Sequence, residues 1–130
     1  MPRKPVVSIV DDDPSVRDGT VDLLNALGYI AEAFDSALDF LNAARCHGTS
    51  CLIVDVQLPG MSGLELYENL VAAGRAVPTI VVTAFPDELD RARALRAGVS
   101  FYLTKPFEPD ELLACIRAAL ARRDENSTGP

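Results

Sequence analysis

Cys51-Leu52-Ile53-Val54-Asp55-Val56-Gln57-Leu58-Pro59-Gly60-Met61-Ser62-Gly63 is the stretch that decides the fold. A four-residue apolar run ends abruptly in one acid, Asp55, and turn-prone Pro59, Gly60, Ser62 and Gly63 follow. So short a run before such breakers suits a buried strand better than a helix. A carboxylate closing a buried strand sits at the mouth of a sheet, and in open α/β sheets that edge binds ligands. The plainer reading of Asp55 alone is a cap for the next helix.

The flanking segments repeat the pattern. Upstream, Val6-Val7-Ser8-Ile9-Val10 is a β-branched strand that stops at Asp11-Asp12-Asp13. Asp13 and Pro14 start a helix carrying Val16, Thr20, Leu23, Leu24 and Leu27 on one side, and Gly28 ends it. Tyr29 to Phe34 reads as a second strand, and Ser36 to Asp39 as a capping box opening a helix with Leu38, Phe40 and Leu41. Downstream, a helix over Leu64 to Val71 stops near Gly74, and Thr79 to Val82 is a fourth strand ending at Thr83-Ala84. Glu88 to Ala97 is helical up to Gly98, and Val99 to Leu103 is the fifth strand, ending at Thr104-Lys105-Pro106-Phe107. Asp110 to Arg122 is the last helix, and residues 123–130 read as a flexible tail or the start of a linker. Strand and helix thus alternate at roughly 25-residue intervals, predicting an α/β fold with a parallel sheet and helices on both faces. The strands are continuously apolar, as in a sheet covered on both sides.

Composition bounds the function. The 130 residues fit one domain, and 48% apolar content supplies a packed core. The formal net charge of −7 argues against nucleic acid or an anionic membrane as direct partner. An odd count of three cysteines, with Cys51 in a strand and Cys115 in a helix, argues against a disulfide framework and fits a reducing cytoplasm. Cys46-His47 with Cys51 matches no zinc spacing. Neither a signal peptide nor a bilayer-spanning apolar stretch is read in the sequence.

In a parallel sheet the strand ends meet at one edge, so Asp11, Asp12 and Asp13 should face Asp55, Thr83 and Lys105. Clustered carboxylates repel unless a cation joins them, and oxygen ligands completed by water suit Mg²⁺. A hydroxyl and an ammonium beside that cation make sense if a tetrahedral anion arrives between them. The chemistry needing this set is phosphoryl transfer onto a carboxylate. Asp55 is the nucleophile, Mg²⁺ neutralises phosphoryl oxygens, and Lys105 and Thr83 bind the remaining ones. Alone, each residue has an ordinary role: Thr83 a strand end, Lys105 a solvated charge, Asp11 to Asp13 helix caps. Joint occurrence at four strand ends is what outweighs those roles.

With Val10-Asp11-Asp12, Asp55 to Gly63, Val82-Thr83-Ala84 and Lys105-Pro106-Phe107, the chain strongly resembles the receiver domain of two-component response regulators, a family that includes CheY and FixJ. The resemblance covers about Val6 to Leu120 and looks nearest to the FixJ-like branch. It implies a receiver domain over residues 1–122 with five parallel strands in the order 2-1-3-4-5. It implies Asp55 as phosphoacceptor, with Mg²⁺ (or Mn²⁺) on Asp11, Asp12, Asp55 and the Gln57 backbone carbonyl. Thr83 and Lys105 then bind the phosphoryl group, Thr83 and Tyr102 form the switch, and Lys105-Pro106 is cis. Such a protein accepts phosphate and slowly loses it; it is not a turnover enzyme. Family experience ties Gln57 and Phe85 to dephosphorylation, and bulky Phe85 is expected to screen the phosphoryl group from water. The implied partner is a sensor histidine kinase, docking on Val16 to Leu23 and the loop after the fifth strand. The face from Asp87 to Leu120 is implied to change on phosphorylation and to form a homodimer. Any DNA binding would belong to an output domain outside this stretch.

Two other readings compete. A haloacid-dehalogenase-type phosphatase also uses an aspartate and Mg²⁺, but needs Asp-x-Asp-x-Thr/Val after the first strand, and Asp11-Asp12-Asp13-Pro14 lacks the Thr or Val. A receiver-like module that binds partners without accepting phosphate usually lacks an acid, the Thr or the Lys, and all are present here. A flavodoxin-like FMN site would need a Gly/Thr-rich loop after the first strand, where the three aspartates stand.

Overall fold

A computed structural model describes residues 4–43 and 48–127 of the chain. Five strands alternate with five helices: β1 (Val6–Val10), α1 (Pro14–Ala26), β2 (Ile30–Phe34), α2 (Ala37–Asn42), β3 (Cys51–Asp55), α3 (Gly63–Ala72), β4 (Thr79–Thr83), α4 (Glu88–Ala97), β5 (Phe101–Thr104) and α5 (Pro109–Ser127). All pairings are parallel, in the order β2-β1-β3-β4-β5. The predicted fold class is therefore the observed one.

Strand pleating sorts the core into two layers, because successive side chains point to opposite faces. Val10, Leu52, Val54 and Val81 join Phe40 of α2, Leu66 and Leu70 of α3, and Ala94 of α4 on one side. Val7, Ile9, Ile53, Ile80 and Val82 join Leu24 of α1 and Leu112 and Ile116 of α5 on the other. β3 and β4 are buried along their whole length, as central strands covered on both faces must be.

Element boundaries differ from the sequence reading in a consistent way. β2 and β5 begin later than Tyr29 and Val99, because those residues close the preceding helices. Gly28 and Gly98 adopt positive φ, and the next N–H turns back: Tyr29 N donates to Leu24 O at 3.0 Å and Val99 N to Ala94 O at 3.1 Å. Ser36 Oγ accepts from Asp39 N at 3.1 Å, half of the expected box. The complete reciprocal box forms at Ser62 and Glu65, where the acid is one methylene longer. The last helix runs to Ser127, beyond Arg122, taking in residues assigned from sequence to the tail.

Cys51 and Cys115 are free thiols, and burial, with the neighbouring Cys115, pushes the Cys51 thiol up to about 12. Cys51 is thus an inert core residue. Cys46 and His47 lie outside the described residues. Among the described residues no helix is long and apolar enough to cross a membrane.

Candidate functional site

The carboxyl ends of β1, β3, β4 and β5 bring the sequence-predicted residues together. Asp11 continues the pleat of Val7 and Ile9, Asp55 that of Cys51 and Ile53, and Lys105 that of Phe101 and Leu103. All three therefore emerge on the same face. Lys105 Nζ donates to Asp11 Oδ2 at 2.9 Å and to Asp55 Oδ2 at 2.5 Å. Asp11 and Asp55 are only 2% and 6% exposed, so one ammonium faces two buried carboxylates. Burial opposes the charged form of Lys105, but hydrogen bonds and charge from Asp11 and Asp55 outweigh it and hold its pKa above the ordinary lysine value.

The loops fix these side chains with backbone donors. Asp13 N donates to Asp11 Oδ1 at 2.9 Å, and Gln57 N to Asp55 Oδ1 at 2.8 Å. Lys105 N donates to Thr83 O at 2.7 Å, pinning the base of the lysine to β4, and the following Lys105-Pro106 bond is cis, as expected. Asp13 is spent on capping α1, accepting from Ser15 N and Val16 N. Asp12 is exposed at the mouth beside Asp11. Among the described residues no three His, Cys, Asp or Glu side chains converge as a ready metal cluster.

Thr83 and Tyr102 lie on the opposite pleat, towards α4. Thr83 is fully buried; its hydroxyl donates to Gln57 Oε1 at 2.8 Å and accepts from Phe85 N at 3.0 Å. Tyr102 is half-buried, and its hydroxyl accepts from Asp87 N, the N-cap residue of α4, at 3.4 Å. Phe85 is 72% exposed, so the residue stands largely in solvent.

Two features escaped the sequence reading, and a third adds detail to it. Arg17 Nη1 donates to Asp11 O at 2.8 Å, tying α1 to the acidic loop. The Gln57 side chain, which the resemblance already tied to dephosphorylation, accepts from the Thr83 hydroxyl. Gly63 packs so tightly that a Cβ there would collide with the Asp55 carbonyl oxygen. The small residue eight positions after Asp55 was the available signal for this last one.

Comparison with known proteins agrees with the fold. The family model described as "Response regulator receiver domain" matches residues 7–117. The response regulator protein TodT of Pseudomonas putida is 39% identical over 118 residues, covering 91% of this chain and 52% of TodT. The transcriptional regulatory protein FixJ of Azorhizobium caulinodans is 36% identical over 125 residues, covering 96% of this chain and 59% of FixJ. The low-resolution structure of the response regulator StyR superposes with a TM-score of 0.86 at 42% identity, covering 97% of this chain and 66% of StyR. The chain thus spans about half the length of the curated relatives it matches.

Proposed function

The chain belongs to the response regulator receiver domain family of two-component signalling, and on that premise we propose that Asp55 accepts a phosphoryl group from a sensor histidine kinase. The observation that carries the proposal is the convergence of Asp11 and Asp55 on Lys105, with the Thr83 hydroxyl on the neighbouring strand end. An Asp55 carboxylate oxygen attacks phosphorus, and an O–P bond forms. The P–N bond of a phosphohistidine, or the P–O bond of an acyl phosphate, breaks, and its electron pair leaves with the donor group. Lys105 transfers from the bare carboxylates to a phosphoryl oxygen, and Thr83 donates its hydroxyl hydrogen to another. The product is an aspartyl phosphate, and the acceptor is the protein itself, not a substrate turned over.

The donor set fits a hard divalent cation. Two buried carboxylates share one ammonium, which leaves a negative charge uncompensated. Mg²⁺ characteristically uses one or two carboxylates and retains water, so a three-acid cluster is not required. Asp11, Asp12, Asp55 and the Gln57 backbone carbonyl would hold it, Asp12 most directly; Mn²⁺ suits the same oxygens. When bound, the cation neutralises charge on the phosphoryl oxygens.

A cavity of about 400 Å³ lies between α1 and the loop after β5, lined by Val16, Thr20, Leu23, Phe107 and Lys105 among others. It supports kinase docking here, since an apolar partner surface seated on Leu23 and Phe107 reaches the acidic edge. The output face is α4-β5-α5, where Leu89 is 81% exposed beside Arg91, Arg96 and Asp90. Phosphorylation would pull Thr83 towards the phosphoryl group, draw Tyr102 inward and reshape this face for a homodimer or an output domain.

Intact mass after acetyl phosphate and Mg²⁺ tests the proposal. One phosphoryl group should be gained, and lost in Asp55→Ala or with chelator. No gain in the wild type would favour a receiver-like module that works without phosphate.

A further inference from the structure

Thr83 carries one hydroxyl hydrogen, and in this structure Gln57 has it: Thr83 Oγ1 donates to Gln57 Oε1 at 2.8 Å. The hydroxyl's acceptor side is taken by Phe85 N at 3.0 Å. Gln57 is also rooted on the nucleophile, because its backbone N–H donates to Asp55 Oδ1 at 2.8 Å. One hydrogen cannot serve both the Gln57 carbonyl and a phosphoryl oxygen on Asp55. The two ends of the bond also differ in environment. Thr83 is fully buried and needs a partner inside the protein, whereas Gln57 is exposed, so its released amide is hydrated at once.

We propose that the Gln57 side chain is a latch on Thr83, a positioning residue that holds the hydroxyl in its resting orientation and sets how readily the site accepts a phosphoryl group. The inference rests on the phosphoryl-acceptor reading above. It assigns Gln57 a role through its side chain, separate from any role of its backbone carbonyl. Removing the latch frees the Thr83 donor before the anion arrives. The net worth of one neutral hydrogen bond corresponds to about a 2- to 10-fold gain in affinity for the anion-bound state.

The test is a double-mutant cycle on beryllofluoride affinity at fixed Mg²⁺, using Gln57→Leu, Thr83→Val and the pair. Leu keeps the volume of Gln without an acceptor, and Val keeps the shape of Thr without a hydroxyl. Gln57→Leu should bind about 2- to 10-fold tighter than wild type, and its effect should vanish in the Thr83→Val background. The Thr83 methyl carbon-13 shift in free Gln57→Leu should also move towards its beryllofluoride-bound position. Gln57→Ala removes the same acceptor and serves if Leu does not fold. Equal or weaker binding by the Gln57 variant, or an equal gain without the Thr83 hydroxyl, overturns the latch alone. A wild type that binds no beryllofluoride overturns the acceptor reading, and the latch with it.

Discussion

Lys105 Nζ lies 2.5 Å from Asp55 Oδ2, a contact between residues 50 positions apart in the chain. The same nitrogen is 2.9 Å from Asp11 Oδ2, so a single cation holds two buried acids. This arrangement keeps the site folded, yet leaves it one positive charge short. An incoming cation and phosphoryl group thus enter a place where the resting electrostatics are already strained by like charges.

Neutralising one of those acids should stabilise the protein while removing its acceptor. Asn at position 55 still accepts from Lys105 but ends the repulsion with Asp11. Asp55→Asn should gain about 1–2 kcal/mol at neutral pH without Mg²⁺, raising Tm by roughly 3–6 °C. Thermal unfolding with chelator checks it; a fall in Tm would mean that the Asp11–Asp55 repulsion is already relieved by solvent.

Removing the ammonium should do the opposite. Lys105→Met keeps the aliphatic stem, leaves both carboxylates unpaired, and should cost about 1–3 kcal/mol at pH 7, between the values for exposed and for fully buried pairs because the mouth is open to water. The pH dependence has a definite sign. Burial opposes the charge on Lys105, yet Asp11 and Asp55 raise its pKa above the ordinary 10.5. A raised lysine contributes stability that is fully present below its unfolded pKa and is lost as pH rises through the folded value. Urea titrations of wild type and Lys105→Met with chelator should therefore differ by a constant amount from pH 7 to about 10 and converge only above 10.5. Convergence already at pH 9 would show that the ammonium is not held by the acids.

Phe85 is where the sequence expectation and the structure part. A bulky residue two positions after Thr83 suggested a screen over the phosphoryl group. With 72% of the residue exposed, the ring displaces little water from the site, while its backbone N–H donates to Thr83 Oγ1. Phe85→Ala should leave the aspartyl phosphate lifetime within about twofold and stability within about 0.5 kcal/mol. Loss of phosphate followed by intact mass decides it, and a lifetime shortened severalfold would mean that the ring swings inward once Asp55 is modified.

The fold was legible because β1, β3 and β4 are short β-branched or apolar runs with helix signals between them, and the parallel topology then sends Asp11, Asp55, Thr83 and Lys105 to one edge. Pleat parity goes further, separating Asp11, Asp55 and Lys105 from Thr83 and Tyr102, and it too can be counted along the chain. The bond from Thr83 to Gln57 could not be counted, because Gln57 follows the strand in a loop whose path depends on Pro59, Gly60 and the Ser62–Glu65 box. Strand starts were misplaced by a residue or two where a glycine turned the following N–H back onto the preceding helix, as at Tyr29 and Val99.

Gly63 shows the same limit at closer range. In sequence it reads as a turn residue, and its role is steric. It is the first residue of α3, buried against Asp55, and its N–H donates to Val56 O at 3.3 Å. A methyl group there would collide with the Asp55 carbonyl oxygen and crowd Val54 Cγ2 at 3.1 Å. The obstacle is backbone of a central strand, which no rotamer change can move aside. Gly63→Ala must therefore push α3 outward or tilt the end of β3, at a cost of about 1–3 kcal/mol or more. Because β3 ends in the proposed nucleophile, the same displacement should slow phosphorylation by acetyl phosphate. Gly60, with φ +79° and open space around it, is the control that separates clash from conformation. Gly60→Ala should cost about 1 kcal/mol through its backbone alone and leave the phosphorylation rate of the folded protein near wild type. Urea unfolding and acetyl phosphate kinetics on the two variants check both halves, and equal slowing in both would place the cause in the loop, not in the contact between Gly63 and Asp55.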